Sequence, residues 1–338
     1  MNGDWETNDL TLLLRWTIQN IENSGIISGT KNKNYFVNFL NQINRLGHLL
    51  KRNTKEGSKN NISYHYDLSN KFYQMMLDET MSYSCGIFTD GNESLYESQI
   101  NKLNALCDNL DIQSGDHILE IGCGWGGFAI HAVTNFDCKV TGVTISKEQY
   151  NFAKEKISNL GLSDKIEILL MDYRDIQGQF DKVVSIEMIE AVGHEFLPQY
   201  FQTIDHLLKP DGVAVIQAIT SPDSRYELFR KGVDFIQKHI FPGTLLPSMR
   251  AMHKACEKTD LHLINLRDIG LSYAKTLKIW HDKVEEQKSE IRKLGMDDTF
   301  FNQWKYYLCY CEAAFAERNI SDVQITFIKP NNTKYKYE

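Results

Sequence analysis

The sequence predicts an α/β fold: a Rossmann-like sheet with a helical cap insertion and a short N-terminal helical region. Three observations carry this. From residue 117 onward, short apolar runs alternate with longer amphipathic ones, the pattern of a parallel sheet with helices on both faces. The first run, in HILEIGCGWGG (117–127), leads straight into a glycine-rich turn. After Thr220 the alternation stops, and residues 221–258 carry aromatic and apolar side chains without a strand period, among them Tyr226, Phe229, Phe235, Ile236, Ile240, Phe241 and the turn Pro242-Gly243.

Residues 1–60 form the short N-terminal region. Between Lys31 and Asn60 lie Lys31, Lys33, Arg45, Lys51, Arg52, Lys55 and Lys59 against one acid, Glu56, beside an apolar helical stripe of Phe36, Phe39, Leu40, Ile43, Leu46, Leu49 and Leu50. Such a stretch serves either as a solvated helix face and linker or as an interfacial helix on anionic headgroups. A joint rich in Gly, Ser and Asn at 56–61 marks a boundary. The main domain then runs over 61–330, with the cap at about 221–258, and a tail follows at 331–338. Its predicted strands are 117–122, 139–145, 166–172, 181–187 and 213–220, with helices at 126–135, 147–160 and 198–208. Beyond the cap, strands 261–269 and 323–328 bracket helices 273–294 and 299–318. The ligand site of such a sheet lies outside the carboxyl ends of its strands.

Composition narrows the function classes. At 338 residues the chain can bury a sizeable core, and 42% hydrophobic with 24% charged residues matches ordinary globular proteins. A formal charge of −7 argues against a nucleic-acid partner, because phosphate binding needs a basic surface. No run approaches about 18 apolar residues, and MNGDWETND lacks the features of a signal peptide, so the expected location is cytoplasmic. The seven cysteines form no CxxC pair and no ligand spacing with histidines; they are expected as reduced thiols, with no metal site.

Five groups of residues carry chemistry. In Glu120-Ile-Gly122-Cys-Gly124-Trp-Gly126, Gly122 and Gly124 allow positive φ and remove Cβ atoms where a ligand would approach. A dinucleotide turn cradles a pyrophosphate at a helix N-terminus, whereas ExGxGxG after a strand is the form seen in S-adenosylmethionine methyltransferases. At the end of the second strand, where many nucleotide sites hold a ribose-binding acid, stands Thr144. Thr144 with Gln149 offers hydrogen bonds to a ribose or methionine amine, while a plain helix-capping role for Thr144 and Ser146 is the simpler alternative. Asp172 and Tyr173, closing the third strand, are placed for an adenine. His65 to Tyr73 and Met81 to Gly86 cluster aromatics and hydroxyls ahead of the sheet, a composition that most often just packs a lid. Last, Ser185 to Gly193 sets Glu187 and Glu190 near where substrate meets cofactor, although either also suits a helix N-terminus.

Taken together, YHYDLSNKFY, TMSYSC, LEIGCGWGG, GVTISKEQ, SIEMIEAVG and YYLCYCEAAF resemble, in order and spacing from about Tyr64 to Pro330, the cyclopropane-fatty-acid synthase family of S-adenosylmethionine-dependent methyltransferases. The resemblance implies a class I methyltransferase sheet. It implies that Tyr83 and Ser84 meet the methionine end of the cofactor with the turn from Glu120 to Gly126, that Thr144 and Gln149 hold the ribose region, and that Tyr173 with Arg174 holds the adenine. In these enzymes the alkene of an acyl chain attacks the sulfonium methyl, and the resulting carbocation loses a proton, with bound bicarbonate as the proposed base. The positions matching the bicarbonate cage are Cys85, Glu190, Gln217, Ile219 and Tyr273, and Cys311 matches a cysteine assigned to the active site. The implied partners are unsaturated phospholipid acyl chains at the inner membrane surface; a homodimer is compatible with the resemblance.

Three positions depart from the family. Gln217 stands where the cyclopropane synthases have histidine, and an amide can hydrogen-bond an anion but cannot take up a proton near neutral pH. Ala191 replaces a common histidine, and Glu187 replaces a common glycine. Glu187 is shared with the coclaurine N-methyltransferase branch, whose acceptor is an amine. A carbocation needs π faces, carboxylates and dryness, for which Tyr66, Phe72, Tyr83, Phe229, Phe235 and Trp280 are the candidate lining, and residues 229–246 have the composition of an acyl tunnel. Two other readings stand beside lipid methylation: a small-molecule N-methyltransferase, and a cofactor- or lipid-binding module without catalysis.

Overall fold

The computed structural model describes residues 6–20, 53–55, 57 and 69–335. The predicted interfacial stripe, most of the basic stretch, and His65 with Tyr66 lie outside the described residues. Helix α1 (Leu10–Gln19) is capped by Asp9, whose carboxylate accepts from the Leu12 amide at 2.8 Å. Then come α2 (Asn70–Met76), which buries Phe72, Tyr73 and Met76, and α3 (Leu95–Leu110), opened by a reciprocal Ser94–Glu97 capping box.

The alternating core follows as β1 (His117–Ile121), α4 (Gly127–Asn135), β2 (Lys139–Thr144), α5 (Lys147–Asn159), β3 (Ile166–Leu170), β4 (Phe180–Ile186), α6 (Leu197–Leu207) and β5 (Leu208–Thr220). The predicted gap between the last helix and strand is absent, because the chain leaves α6 at Leu207 and is already extended at Leu208. The cap region holds α7 (Tyr226–Lys231), α8 (Phe235–His239) and α9 (Met249–Ala255). Of these, α9 is not cap: Met252 and Ala255 are buried in the same core as Leu207 and Ile325. The chain ends with β6 (His262–Asp268), α10 (Gly270–Glu286), α11 (Lys288–Arg292), α12 (Asp298–Ala316) and β7 (Ser321–Ile328).

Among the described residues the seven strands form one sheet in the order β3-β2-β1-β4-β5-β7-β6. Strands β1 to β5 pair in parallel, and β7 runs antiparallel between β5 and β6. That inversion brings the start of β7 beside the end of β5, pairing Gln217 with Gln324 and Ile219 with Asp322. Polar side chains from two distant stretches therefore meet at one end of the sheet.

Helix α1 lies on α12 through Thr11 to Glu312 (2.9 Å) and Arg15 to Glu317 (2.6 Å), leaving Leu12 and Trp16 about 60% exposed. Asn53 is buried and donates to the Gly243 carbonyl at 2.7 Å, so the main domain already includes this residue, ahead of the boundary expected at 61. No described helix is long and apolar enough to cross a membrane.

Candidate active site

The turn after β1 is held by the next strand. The amides of Gly122 and Cys123 both donate to the Val143 carbonyl, at 3.0 and 2.9 Å, which folds the chain back across the sheet end. Gly122 has φ +81, and a Cβ there would sit 2.7 Å from Met188 Cγ. Gly124, with φ +51, has open space where a Cβ would project. Gly126 is different: it caps α4 in the left-handed region and packs on Ala153 without lining the cavity.

A cavity of about 340 Å³ opens along this turn. Tyr83, Ser84, Glu120, Gly122, Gly124, Thr144, Gln149, Asp172, Tyr173 and Arg174 all line it, so the structure gathers every predicted cofactor residue except Gly126. Burial pushes the Glu120 carboxyl up to about 8 against the opposing charge of Lys102, and its Oε2 has no hydrogen-bond partner among the described residues. Lys102 is itself fully buried and donates to Ser84 Oγ at 3.0 Å. Thr144 donates to Gln149 Oε1 at 2.8 Å, while Ser146 does what the simpler alternative expected and caps α5. Asp172 is closed on itself: Arg174 donates to both of its oxygens, at 2.8 and 2.6 Å. Against burial, those hydrogen bonds hold the Asp172 carboxyl below its usual range. An orphaned carboxylate oxygen, an open glycine face and a hydroxyl–amide pair along one wall fit a group with an amine, hydroxyls and a flat ring, which S-adenosylmethionine carries.

The bicarbonate cage is not available as expected. The donors meant for the anion converge instead on Glu187: the Cys85 amide and Gln217 Nε2 each donate to Oε1 at 2.8 Å, and the Tyr273 hydroxyl donates to Oε2 at 2.5 Å. Glu187 follows the end of β4 at φ +48, a left-handed conformation that glycine adopts freely and glutamate does not. Gln217 spends its second N–H on Asp322 Oδ2 (2.9 Å) and accepts from Gln324 at 3.1 Å; it does not line the cavity. Burial and the Glu187 and Glu190 charges raise Asp322 well above the usual range. Burial likewise keeps the Tyr273 hydroxyl protonated. Glu190 stands apart from this cluster: its Oε1 accepts from the Ile219 amide, not the carbonyl side of that residue, at 2.6 Å, and its Oε2 has no partner among the described residues. Burial, with the nearby Glu187 charge, pushes Glu190 up to about 8.

From these carboxylates the cavity continues into an apolar arm. Phe229, Ile236, Phe241, Leu245 and Leu246 line it from the cap, as the composition of 229–246 implied. Tyr307, Tyr310, Cys311 and Ala314 line it from α12. Of the predicted aromatic lining, Tyr83 and Phe229 face the cavity. Phe72, Phe235 and Trp280 stand behind it: Trp280 packs on Tyr83 (5.1 Å) and Phe72 on Trp304 (5.1 Å). Phe241 and Tyr307 carried no individual expectation, yet the spacing Tyr307, Tyr310, Cys311, Ala314 marks one helix face and was the available signal. Cys311 is a cavity thiol, kept protonated by burial. All seven cysteines are free thiols.

Comparisons with known proteins agree with this geometry. A family model described as mycolic acid cyclopropane synthetase matches residues 53–325. Tuberculostearic acid methyltransferase of Mycobacterium tuberculosis is 39% identical over 284 residues, 82% of this chain and 66% of that protein. Cyclopropane-fatty-acyl-phospholipid synthase of Escherichia coli is 37% identical over 266 residues, 78% of this chain and 66% of that one. The chain thus spans 66% of the length of these two relatives. The crystal structure of a mycolic acid cyclopropane synthase complexed with SAH and CTAB is similar at a TM-score of 0.75 and 30% identity, covering 80% of this chain and 98% of that one.

Proposed function

The chain belongs to the mycolic acid cyclopropane synthetase family of S-adenosylmethionine-dependent methyltransferases, and from that premise we propose that it methylates the double bond of unsaturated phospholipid acyl chains. The product is a cyclopropane or a methyl or methylene branch, reached through a carbocation. The observation that carries this reading is the single cavity that joins a glycine turn to an apolar arm, with carboxylates at the junction. S-adenosylmethionine supplies, when bound, an electrophilic methyl group on a positively charged sulfur. Glu120, Thr144 and Gln149 would hold its polar groups. The apolar arm seats the acyl chain and excludes water, so that a cation forming there meets aromatic faces and carboxylates instead of solvent.

The test is incubation with S-adenosylmethionine and vesicles of unsaturated phosphatidylglycerol and phosphatidylethanolamine, followed by proton NMR of the released fatty acids. High-field ring protons identify a cyclopropane, and olefinic methylene protons identify the branch. Methylation of added amines with no lipid product overturns the reading in favour of an N-methyltransferase.

Exposed Leu12 and Trp16 on α1 support docking of this edge on the inner membrane surface. Trp16→Asp is then expected to lower the vesicle-bound fraction in cosedimentation by roughly tenfold, with S-adenosylhomocysteine affinity unchanged.

A further inference from the structure

We infer that Glu187 is the built-in base of the reaction, standing in the cage where the related synthases place bicarbonate, so that this chain resolves its carbocation without an external anion. The inference rests on the lipid reading above, and its observations are geometric. Three donors, the Cys85 amide, Gln217 Nε2 and the Tyr273 hydroxyl, already end on the two oxygens of one carboxylate. A second anion in the same cage would find its donors taken and a like charge at contact distance. Glu187 lines the cavity, whereas Gln217 behind it does not.

Its neighbours are placed differently. Gln217 has no titratable group, and Tyr273 serves Glu187 as a proton donor. Asp322 does not line the cavity; its carboxyl accepts one Gln217 N–H and hydrogen-bonds Glu187 itself. Glu190 lines the same cavity with one oxygen on the Ile219 amide, but none of the three cage donors ends on it. The backbone points the same way. A glutamate held at φ +48 is strained relative to glycine, and three hydrogen bonds fix it there.

The step balances without a co-reactant. Once the new carbon–carbon bond has formed and the sulfur has left with its bonding pair, a C–H bond breaks, on the transferred methyl group when a ring closes and on a carbon next to the cationic one when a double bond forms. Its electron pair closes the ring or forms a double bond, and the proton passes to Glu187, whose carboxylate becomes a carboxylic acid. Solvent removes that proton when the product leaves. Gln217 and Asp322 act as positioning residues.

The test uses lipid turnover in buffer stripped of carbon dioxide, together with titration of isotope-labelled bicarbonate followed by carbon NMR. The wild-type rate is expected to be indifferent to bicarbonate. Glu187→Gly should lose about 100-fold or more in rate and regain at least roughly tenfold on addition of bicarbonate. Glu187→Gln, which keeps the shape but takes up no proton, should be equally slow and not be rescued. S-adenosylhomocysteine affinity should survive in both. Bicarbonate dependence of the wild type, or a Glu187→Gly variant fast without it, overturns the inference. The NMR titration needs no turnover: labelled bicarbonate should bind to Glu187→Gly and not to the wild type, and binding to the wild type overturns the inference even if no lipid is methylated. Absence of lipid product from the wild type, by contrast, counts against the lipid reading alone.

Discussion

Gly122→Val is expected to weaken S-adenosylhomocysteine binding by roughly 100-fold or more, with the fold retained. Gly122 sits at φ +81, where a β-branched residue is strained by about 1–3 kcal/mol. Its new side chain would also meet Met188 Cγ at 2.7 Å, and Met188 lines the same cavity, so relief of the clash moves a side chain into the ligand's space. A ligand that meets the displaced Met188 loses about 3 kcal/mol of binding or more, a factor of about 100 in affinity. Isothermal titration calorimetry measures it. Gly161→Val is the control: Gly161 has φ +69, nothing lies within 4 Å of where its Cβ would stand, and it is away from the cavity. That variant should lower stability and leave affinity alone. Equal affinity losses in the two would show that strain, not the shape of the turn, is responsible.

The parallel half of the sheet was legible from residue patterning, because each of its strands is an apolar run ended by a turn signal, and burial on both faces demands that. So was the glycine turn, since an ExGxGxG run ending a strand has few other uses. The antiparallel strand hid a part of the site. Asp322 and Gln324 are more than a hundred residues from Gln217 in sequence, and only the reversed direction of β7 sets them against it. A signal was present: Asp322, Gln324 and Thr326 are all buried, an alternation of polar residues that no solvated strand face requires. The cage itself could not be read position by position. Matching residues located Cys85, Gln217 and Tyr273, but which carboxylate they serve depends on where the chain turns after β4. A left-handed residue there throws the Glu187 side chain back into the cage, while Glu190, three places on, reaches only the Ile219 amide. Likewise Asp172, placed for an adenine in the sequence, has both oxygens taken by Arg174 two residues away.

Between pH 7 and pH 8 the cofactor-free protein should lose about 2 kcal/mol of stability, a consequence of Glu120 and Glu190. Burial pushes each up to about 8, whereas in the unfolded chain both ionise near the ordinary carboxylate value. The folded state therefore binds more protons than the unfolded one over this interval, and stability must fall as pH rises. The stabilisation is complete below the unfolded value and is lost as pH passes through about 8. Each carboxylate contributes about 1 kcal/mol of loss across this one unit. Asp322 and Glu187, also raised by burial, act in the same direction. His117, His131 and His194, lowered by burial, oppose the trend only where unfolded histidine is charged, below about pH 7. The buried thiols add to it only where unfolded cysteine ionises, above about pH 8. Thermal melts at the two pH values should differ by roughly 3 °C, and Glu120→Gln with Glu190→Gln together should reduce the difference. A cofactor that supplies donors to Glu120 Oε2 favours the ionised form there, so saturation with S-adenosylhomocysteine should shrink the Glu120 share and leave that of Glu190. If the melts do not respond to pH in the wild type, the two carboxylates are solvated, and the dry junction that a carbocation requires is absent.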